Sequence, residues 1–436
     1  MYQTTAKALM DFIEKSPSCY HVIWNLSEML QAQGYEELKE EQKWSLKKGG
    51  KYYVTRNQSS IIAFQIPEGE MKNFQIAASH SDSPCFKVKE NPEMEVDGHY
   101  VELNTEKYGG MICAPWLDRP LSVAGRVMVR TENGIASRLV NIDRDLVLIP
   151  NVAIHMNSKL NDGYTYNAQK DMLPLFGEET AKGGFGKLLA KELSVAGEDI
   201  LSTDLFLYNR MKGSFWGANQ EYISSARLDD LQCAYATMQG FLQGGHPESV
   251  SVCCVFDNEE VGSGTRQGAA STMLSDVLER ICLCMDKDKE EYQIMLAGSF
   301  LISADNAHAL HPHHMDKADP TNRPYMNRGV VIKYNANQKY TTDAVSAAIF
   351  KEICHRAQVP VQTYVNRSDV AGGSTLGNIA IRQVSIPAVD IGLPQLAMHS
   401  PYETAGVKDT WYLIQAMKEF YNTGIFSQLP EISMVK

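Results

Sequence analysis

Nowhere in the 436-residue sequence is there an uninterrupted apolar run of about 18 residues, the length a membrane-spanning helix needs. No membrane span is therefore expected. The nine cysteines include no CxxC pair, and an odd count argues against a disulfide framework. Cys253 and Cys254 fall in a strand-like apolar run and Cys282 and Cys284 in a helical pattern, so they are expected to be reduced core thiols of a cytoplasmic protein. Basic residues are outnumbered, 41 against 52, and form no stripe; a net charge of -11 argues against nucleic acid as a partner. The opening stretch Ala8-Leu9-Met10-Asp11-Phe12-Ile13-Glu14 is amphipathic and acidic rather than a continuous apolar segment, so no export signal is expected.

What is present is 44% hydrophobic residues over a length beyond which single cores stop growing, which points to two domains. Residues 4–33 carry helical periodicity broken at Ser16-Pro17-Ser18. Strand patterns follow at 51–55, 60–66 and 74–79. From about residue 87 to 212 the texture changes to short alternating segments (100–103, 121–130, 135–140, 146–150) separated by Gly, Asn and Asp, with loops and one helix over 157–197. After a strand at 298–304, the last third alternates: strand 329–334, helix 343–356, strand 361–365, a Gly372-Gly373-Ser374 turn opening a helix, strand 384–392 and a terminal helix 409–421. Such alternation predicts an α/β fold with a mixed, mostly parallel sheet covered by helices on both faces. A discontinuous catalytic domain, 1–87 and 213–436, would then be interrupted by a β-rich domain at 88–212.

The chemistry concentrates just after the predicted strands. The apolar run 250–256 ends in Asp257-Asn258-Glu259-Glu260-Val261-Gly262-Ser263-Gly264. If the strand continues, the two glutamates point to opposite faces, one to hold a cation and the other a proton. A solvated acidic turn would read the same in isolation. The run 74–79 ends in His80-Ser81-Asp82, where an i, i+2 pair on extended backbone shares a face and Asp82 can fix the His80 tautomer. Asp229 and Asp230 stand at a helix entrance, where Asp230 reads as the N-cap and Asp229 is left free. Asp305 and His399 each follow an apolar strand, at the edge where open α/β sheets place their sites. Two histidines, two aspartates and a glutamate suit two divalent ions such as Zn, Mn or Co, and one more glutamate remains to move a proton.

The set Ala78-Ser79-His80-Ser81-Asp82, Arg227-Leu228-Asp229-Asp230, Asp257-Asn258-Glu259-Glu260-Val261-Gly262-Ser263, Ser303-Ala304-Asp305-Asn306-Ala307-His308 and Met398-His399-Ser400 resembles, in this order and nearly end to end, the aspartyl aminopeptidase family of dinuclear zinc exopeptidases. The resemblance implies His80, Asp229, Glu260, Asp305 and His399 as ligands of two metal ions per subunit. Asp229 would bridge them, His80 and Asp305 sharing one ion and Glu260 and His399 the other. It further implies Glu259 as general acid/base, Asp82 as the group orienting His80, and Lys333, His308 and His155 as substrate contacts, His155 reaching the active site of a neighbouring subunit. Its fold is a zinc-peptidase-like domain interrupted by a dimerisation domain, and its members assemble into tetrahedral dodecamers that take acidic residues from peptide N-termini. Asp230 stands where some relatives have Asn, and the loop after His399 reads Pro401-Tyr402-Glu403, as in bacterial-type members. A broader or neutral aminopeptidase specificity, an N-acyl amino acid deacylase and a non-enzymatic self-assembling scaffold are the alternatives.

Overall fold

The computed structural model describes residues 1–428 and 431–436. Its largest element is a nine-stranded sheet in the order Glu36–Leu38, Lys51–Arg56, Ser60–Gln65, Ser249–Phe256, Asn73–His80, Phe300–Ala304, Ala388–Gly392, Val330–Tyr334, Val361–Val365. The four strands from Ser249–Phe256 to Ala388–Gly392 run parallel. Antiparallel joints flank them on both sides. Each of the four is buried along its whole length, which is why they read as continuous apolar runs rather than as alternating ones.

Alternation still decides which core each side chain joins. Ala77, Cys253, Val255 and Ile302 face one side, where they pack beneath the helices Tyr2–Glu14, Cys19–Ala32, Leu228–Gln243, Ala344–Arg356 and Asp409–Asn422. Ile76, Ala78, Cys254 and Leu301 face the other, under Met273–Cys284 and Lys289–Ala297. Fully burying a large apolar side chain contributes about 1.5–3 kcal/mol, so these two cores dominate the stability of this part of the chain. The α/β reading with both faces covered agrees with this architecture.

A second, six-stranded antiparallel sheet has the order Gly134–Asn141, Leu121–Thr131, Ile200–Asn209, Cys85–Val96, Tyr100–Tyr108, Leu175–Glu178. It has a core of its own, with Phe86, Leu103, Val123, Val127 and Leu205 under the helix Gly184–Leu193. A small five-stranded sheet (Ser214–Trp216, Tyr222–Ser225, Glu403–Gly406, Pro394–Leu396, Ala307–His308) ties together the segments that leave the main sheet at its carboxyl edge.

Several local expectations are corrected. The alternation at 146–150 gives only isolated bridges, Leu121 to Val147, Leu148 to Leu175 and Leu117 to Ile149. The expected strand at 384–392 shortens to Ala388–Gly392, and the turn after Gly372-Gly373 opens a helix of four residues only, Gly377–Ala380. The helix Lys289–Ala297 and the hairpin Gly424–Gln428 with Glu431–Val435 had no expectation attached to them. All nine thiols are free. Among the described residues no helix is long and apolar enough to cross a membrane.

The carboxyl edge is tightly built. Gly392 ends its strand so close to the neighbouring segment that a Cβ there would lie 2.0 Å from the Asp305 carbonyl oxygen and 2.9 Å from the Ala307 nitrogen. Backbone atoms cannot swing aside as a flexible side chain can. Gly392→Ala is therefore expected to lower stability in chemical denaturation by about 1–3 kcal/mol, as overpacking does, and to displace Asp305.

Candidate active site

Register explains why the site residues meet. Phe256 pairs with His80, Ser303 with Ala78 and Ala304 with Ile391, so 257–260, 81–82 and 305–306 leave neighbouring parallel strands at the same level. Asp229 arrives from the short strand Tyr222–Ser225, and His399 from the loop between Pro394–Leu396 and Glu403–Gly406.

Asp229 is at the centre. It is 3% exposed, and its two carboxylate oxygens face different histidines: Oδ1 lies 3.6 Å from His80 Nε2, and Oδ2 lies 3.4 Å from His399 Nε2. Asp305 Oδ1 is 3.9 Å from His80 Nε2, and Glu260 Oε2 is 3.5 Å from His399 Nε2. Among the described residues, three sets can hold a cation with donor atoms within 4.8 Å of one another: His80, Asp229, Asp230 and Asp305; Asp229, Glu260 and His399; and His80, Glu259 and Glu260. Asp229 Oδ1, Asp230 Oδ1 and Glu260 Oε1 are buried and receive no hydrogen bond. Buried carboxylate oxygens left bare are costly, and imidazole and carboxylate are the donors that zinc takes, so the residues present fit a metal ion.

The electrostatics say the same. Burial raises the Glu260 carboxyl well above its usual range, with Asp229 adding to the effect. Burial likewise carries Glu259 up to about 8 against the pull of His80, and Asp305 up to about 6 against that of Lys333. Burial opposes charge on His399, but Asp229 outweighs it and raises the imidazole to about 9. Negative charge is in surplus in a small, largely buried volume, an arrangement that draws cations.

The glutamates are not on a continued strand. Asn258 takes a left-handed conformation (φ 62°) and Glu259–Val261 form a 3-10 turn, which corrects the opposite-faces argument: both carboxylates enter one pocket. Asp82 holds that turn, its Oδ1 accepting from Glu259 N–H and its Oδ2 from Glu260 N–H, each at 3.1 Å. The same carboxylate lies 3.3 Å from His80 Nδ1, so it faces both the imidazole and the acidic turn. Asp230 stands at the helix entrance but does not cap it. The backbone is non-helical at Asp229 (φ -83°, ψ 109°) and Asp230 (φ -114°, ψ 19°), so the regular helix begins after them, and the Asp230 carboxylate, wholly buried, accepts from His80 N–H at 3.1 Å instead. A strong local rule for helix starts lost here to a tertiary contact.

Lys333 is 3% exposed on the pocket wall, 3.7 Å from Asp305 Oδ2 and 5.5 Å above the Tyr340 ring. Burial disfavours its charge, but Asp305 outweighs it and holds the ammonium's pKa above its usual value. His308 stands at the pocket mouth, edge-on to Tyr364 at 5.8 Å between ring centroids. His155 is exposed and does not line the pocket of its own chain.

Sequence reasoning passed over several members of the site. Glu403, 1% exposed, accepts from His399 N–H (2.7 Å) and Asp229 N–H (3.0 Å), holding the two backbones that deliver the central ligand candidates. Its place four residues after His399 was the available signal. Asn306 donates to Gln395 Oε1 (2.7 Å), Gln232 Oε1 (3.1 Å) and the Leu228 carbonyl (3.3 Å), locking the helix entrance to the sheet edge. Tyr108 reaches Asp82 Oδ2 from the six-stranded sheet at 2.7 Å, and nothing in the local sequence announces it.

A family model described as aminopeptidase I zinc metalloprotease (M18) matches residues 12–421. A Clostridium novyi (strain NT) protein described as a probable M18 family aminopeptidase 2 is 48% identical over 425 residues, covering 96% of this chain and 98% of its own. Among solved structures, the cryo-EM structure of the Ape4 and Nbr1 complex matches with a TM-score of 0.93 at 36% identity, over 97% of this chain and 86% of that one. The S. cerevisiae mApe1 dodecamer matches with a TM-score of 0.85 at 26% identity, over 96% and 97%. With a matching family model over nearly its whole length and a relative of this similarity, the chain belongs to the M18 family of zinc metallo-aminopeptidases.

Proposed function

We propose that this aminopeptidase works with two metal ions per subunit and removes N-terminal Asp or Glu from peptides. The observation that carries the reading is Asp229, whose two oxygens face His80 and His399 separately. His80 and Asp305 would complete the surroundings of one ion, Glu260 and His399 those of the other, with Asp229 common to both. Zinc suits these donors, and Mn or Co would also be accepted. Bound there, a metal pair supplies Lewis acidity to the scissile carbonyl and lowers the pKa of a water.

The residues of the chain do the remaining work. Glu259, carried up to about 8 by burial and held in the pocket by the Asp82-anchored turn, suits the taking of a proton from the attacking water and its delivery to the leaving amine. Asp82 would keep the His80 ring in place at Nδ1, which lies 3.1 Å from its main-chain carbonyl and 3.3 Å from its carboxylate. Lys333 is the buried cation of the pocket and would pair with the carboxylate of an acidic first residue, with His308 at the rim. A deacylase would need a cation for a free α-carboxylate, whereas an aminopeptidase needs an anion for a free α-amine, and Asp229, Glu259, Glu260 and Asp305 line this pocket.

The residues 88–212 would form the dimerisation domain of a cytoplasmic homo-oligomer, of which a tetrahedral dodecamer is the expected form. The separate core of that sheet supports this, as does the loop that leaves Val152, Ile154 and Met156 exposed (47%, 46% and 82%) beside His155, and the solved mApe1 relative is a dodecamer. His155 would contact substrate across a subunit boundary.

Glu259→Gln is expected to lower kcat by about 10²–10⁴ while metal content and assembly stay unchanged, since it removes only a proton carrier. Normal turnover in that variant would give the proton to another group. On a panel of Asp, Glu, Leu and Lys p-nitroanilides, activity is expected to be lost with EDTA and greatest for the acidic substrates. Lys333→Met should lower kcat/KM for Asp by about 10–100-fold, the worth of one charge-assisted contact, and change Leu far less. An equal loss on both substrates would remove Lys333 from specificity.

A further inference from the structure

The two halves of the metal centre are held differently. His80 and Asp305 leave adjacent strands of the nine-stranded sheet, and their side chains are 1% and 11% exposed. Glu260 and His399 stand on turns beyond that sheet; the Glu260 side chain is 4% exposed, but the His399 ring is 33% exposed. Asp82 and Glu403 accept their backbone N–H groups, and further support comes from the six-stranded sheet. The strand Tyr100–Tyr108 ends in a turn, residues 108–112, that meets both residues.

Four residues of the turn make the junction. The Tyr108 hydroxyl donates to Asp82 Oδ2 (2.7 Å), the same oxygen that accepts the Glu260 N–H, and itself accepts from Asn258 Nδ2 (2.8 Å). Gly109, at φ +75°, lies so near that a Cβ would be 3.0 Å from Glu260 Cβ and 3.3 Å from its carbonyl oxygen. The Gly110 carbonyl receives His399 Nδ1 at 2.5 Å, which leaves Nε2 facing Asp229 and Glu260. Ile112 N–H donates to the His399 carbonyl (3.1 Å), bracing a residue that itself sits at φ 68°. A hydrogen bond to the far nitrogen of a ligating imidazole fixes its tautomer and aim, and such outer contacts change metal affinity substantially.

We propose that the turn 108–112 is the positioning element for the Glu260–His399 half of the centre, with Tyr108, Gly109 and Gly110 as positioning residues, and that this half holds the more readily exchanged ion. The inference rests on the two-ion reading above. His80 and Asp305 are carried by adjacent strands of the main sheet and meet the turn only indirectly, through Asp82 beside His80 Nδ1, so disturbing the turn weakens the Glu260–His399 half more than the other.

The full-length protein, stripped of metal, is titrated with Zn²⁺ against a competing zinc indicator, and bound metal is counted by mass spectrometry. Wild type is expected to take two equivalents of unequal affinity. In Tyr108→Phe and Gly109→Ala the weaker equivalent falls about 10–100-fold, the range for an outer-sphere loss, while the tighter one stays within about twofold. The double variant Tyr108→Phe/His399→Ala should hold its one remaining ion as tightly as His399→Ala alone. Should Gly109→Ala fail to fold, Tyr108→Phe decides, since it removes a single oxygen. Two equivalents that weaken together, or neither weakening, would overturn the role of the turn and leave the two-ion reading standing. A single equivalent in wild type would overturn both.

Discussion

Negative charge converging on buried carboxylates is the constraint around which the carboxyl edge of the main sheet is built. Asp82, Asp229, Asp230, Glu259, Glu260 and Asp305 come together against two imidazoles and one ammonium. Burying that many carboxylates is unfavourable unless each is paired, hydrogen-bonded or facing a cation. Asp82 and Glu403 meet the condition by accepting backbone N–H groups, and in doing so they fix the segments that carry Glu259, Glu260, His399 and Asp229. Asp229, Asp230 and Glu260 do not fully meet it, each keeping one bare buried oxygen. The acids with satisfied oxygens build the frame, and those with unsatisfied ones face the space where positive charge belongs.

The parallel register makes this convergence possible. Strands that end level with one another deliver their following residues to one place, and the small sheet through Tyr222–Ser225 and Glu403–Gly406 adds the two arms that the main sheet does not supply. Lys333, at the side of the same pocket, offsets part of the surplus through Asp305. A cation so placed offsets buried negative charge, and under the proposed reading would also favour an acidic first residue.

The main sheet was legible in sequence because its central strands are buried on both faces and leave near-continuous apolar runs bounded by turns. Residues placed at the ends of those runs, His80, Glu259, Glu260 and Asp305, could be singled out for the same reason. Asp230 was misread because a local rule for helix entry cannot see the His80 amide arriving from another strand. Glu259 and Glu260 were assigned opposite faces because a left-handed Asn258 is not foreseeable from a strand pattern. Tyr108 and Gly110 were invisible: their partners Asp82 and His399 lie 26 and 289 positions away, and a tyrosine or glycine at a strand end has no signature of such a contact. Alternation at 146–150 looked like a strand, yet its backbone finds only isolated bridges because the neighbouring ladder is already occupied by Gly134–Asn141.

The most direct test of the account is anomalous scattering at the zinc absorption edge from crystals of the zinc-loaded protein. The account predicts two peaks in each subunit, one beside His80 and Asp305 and the other beside Glu260 and His399, with Asp229 between them. A single peak, or a second peak remote from Asp229, would contradict it.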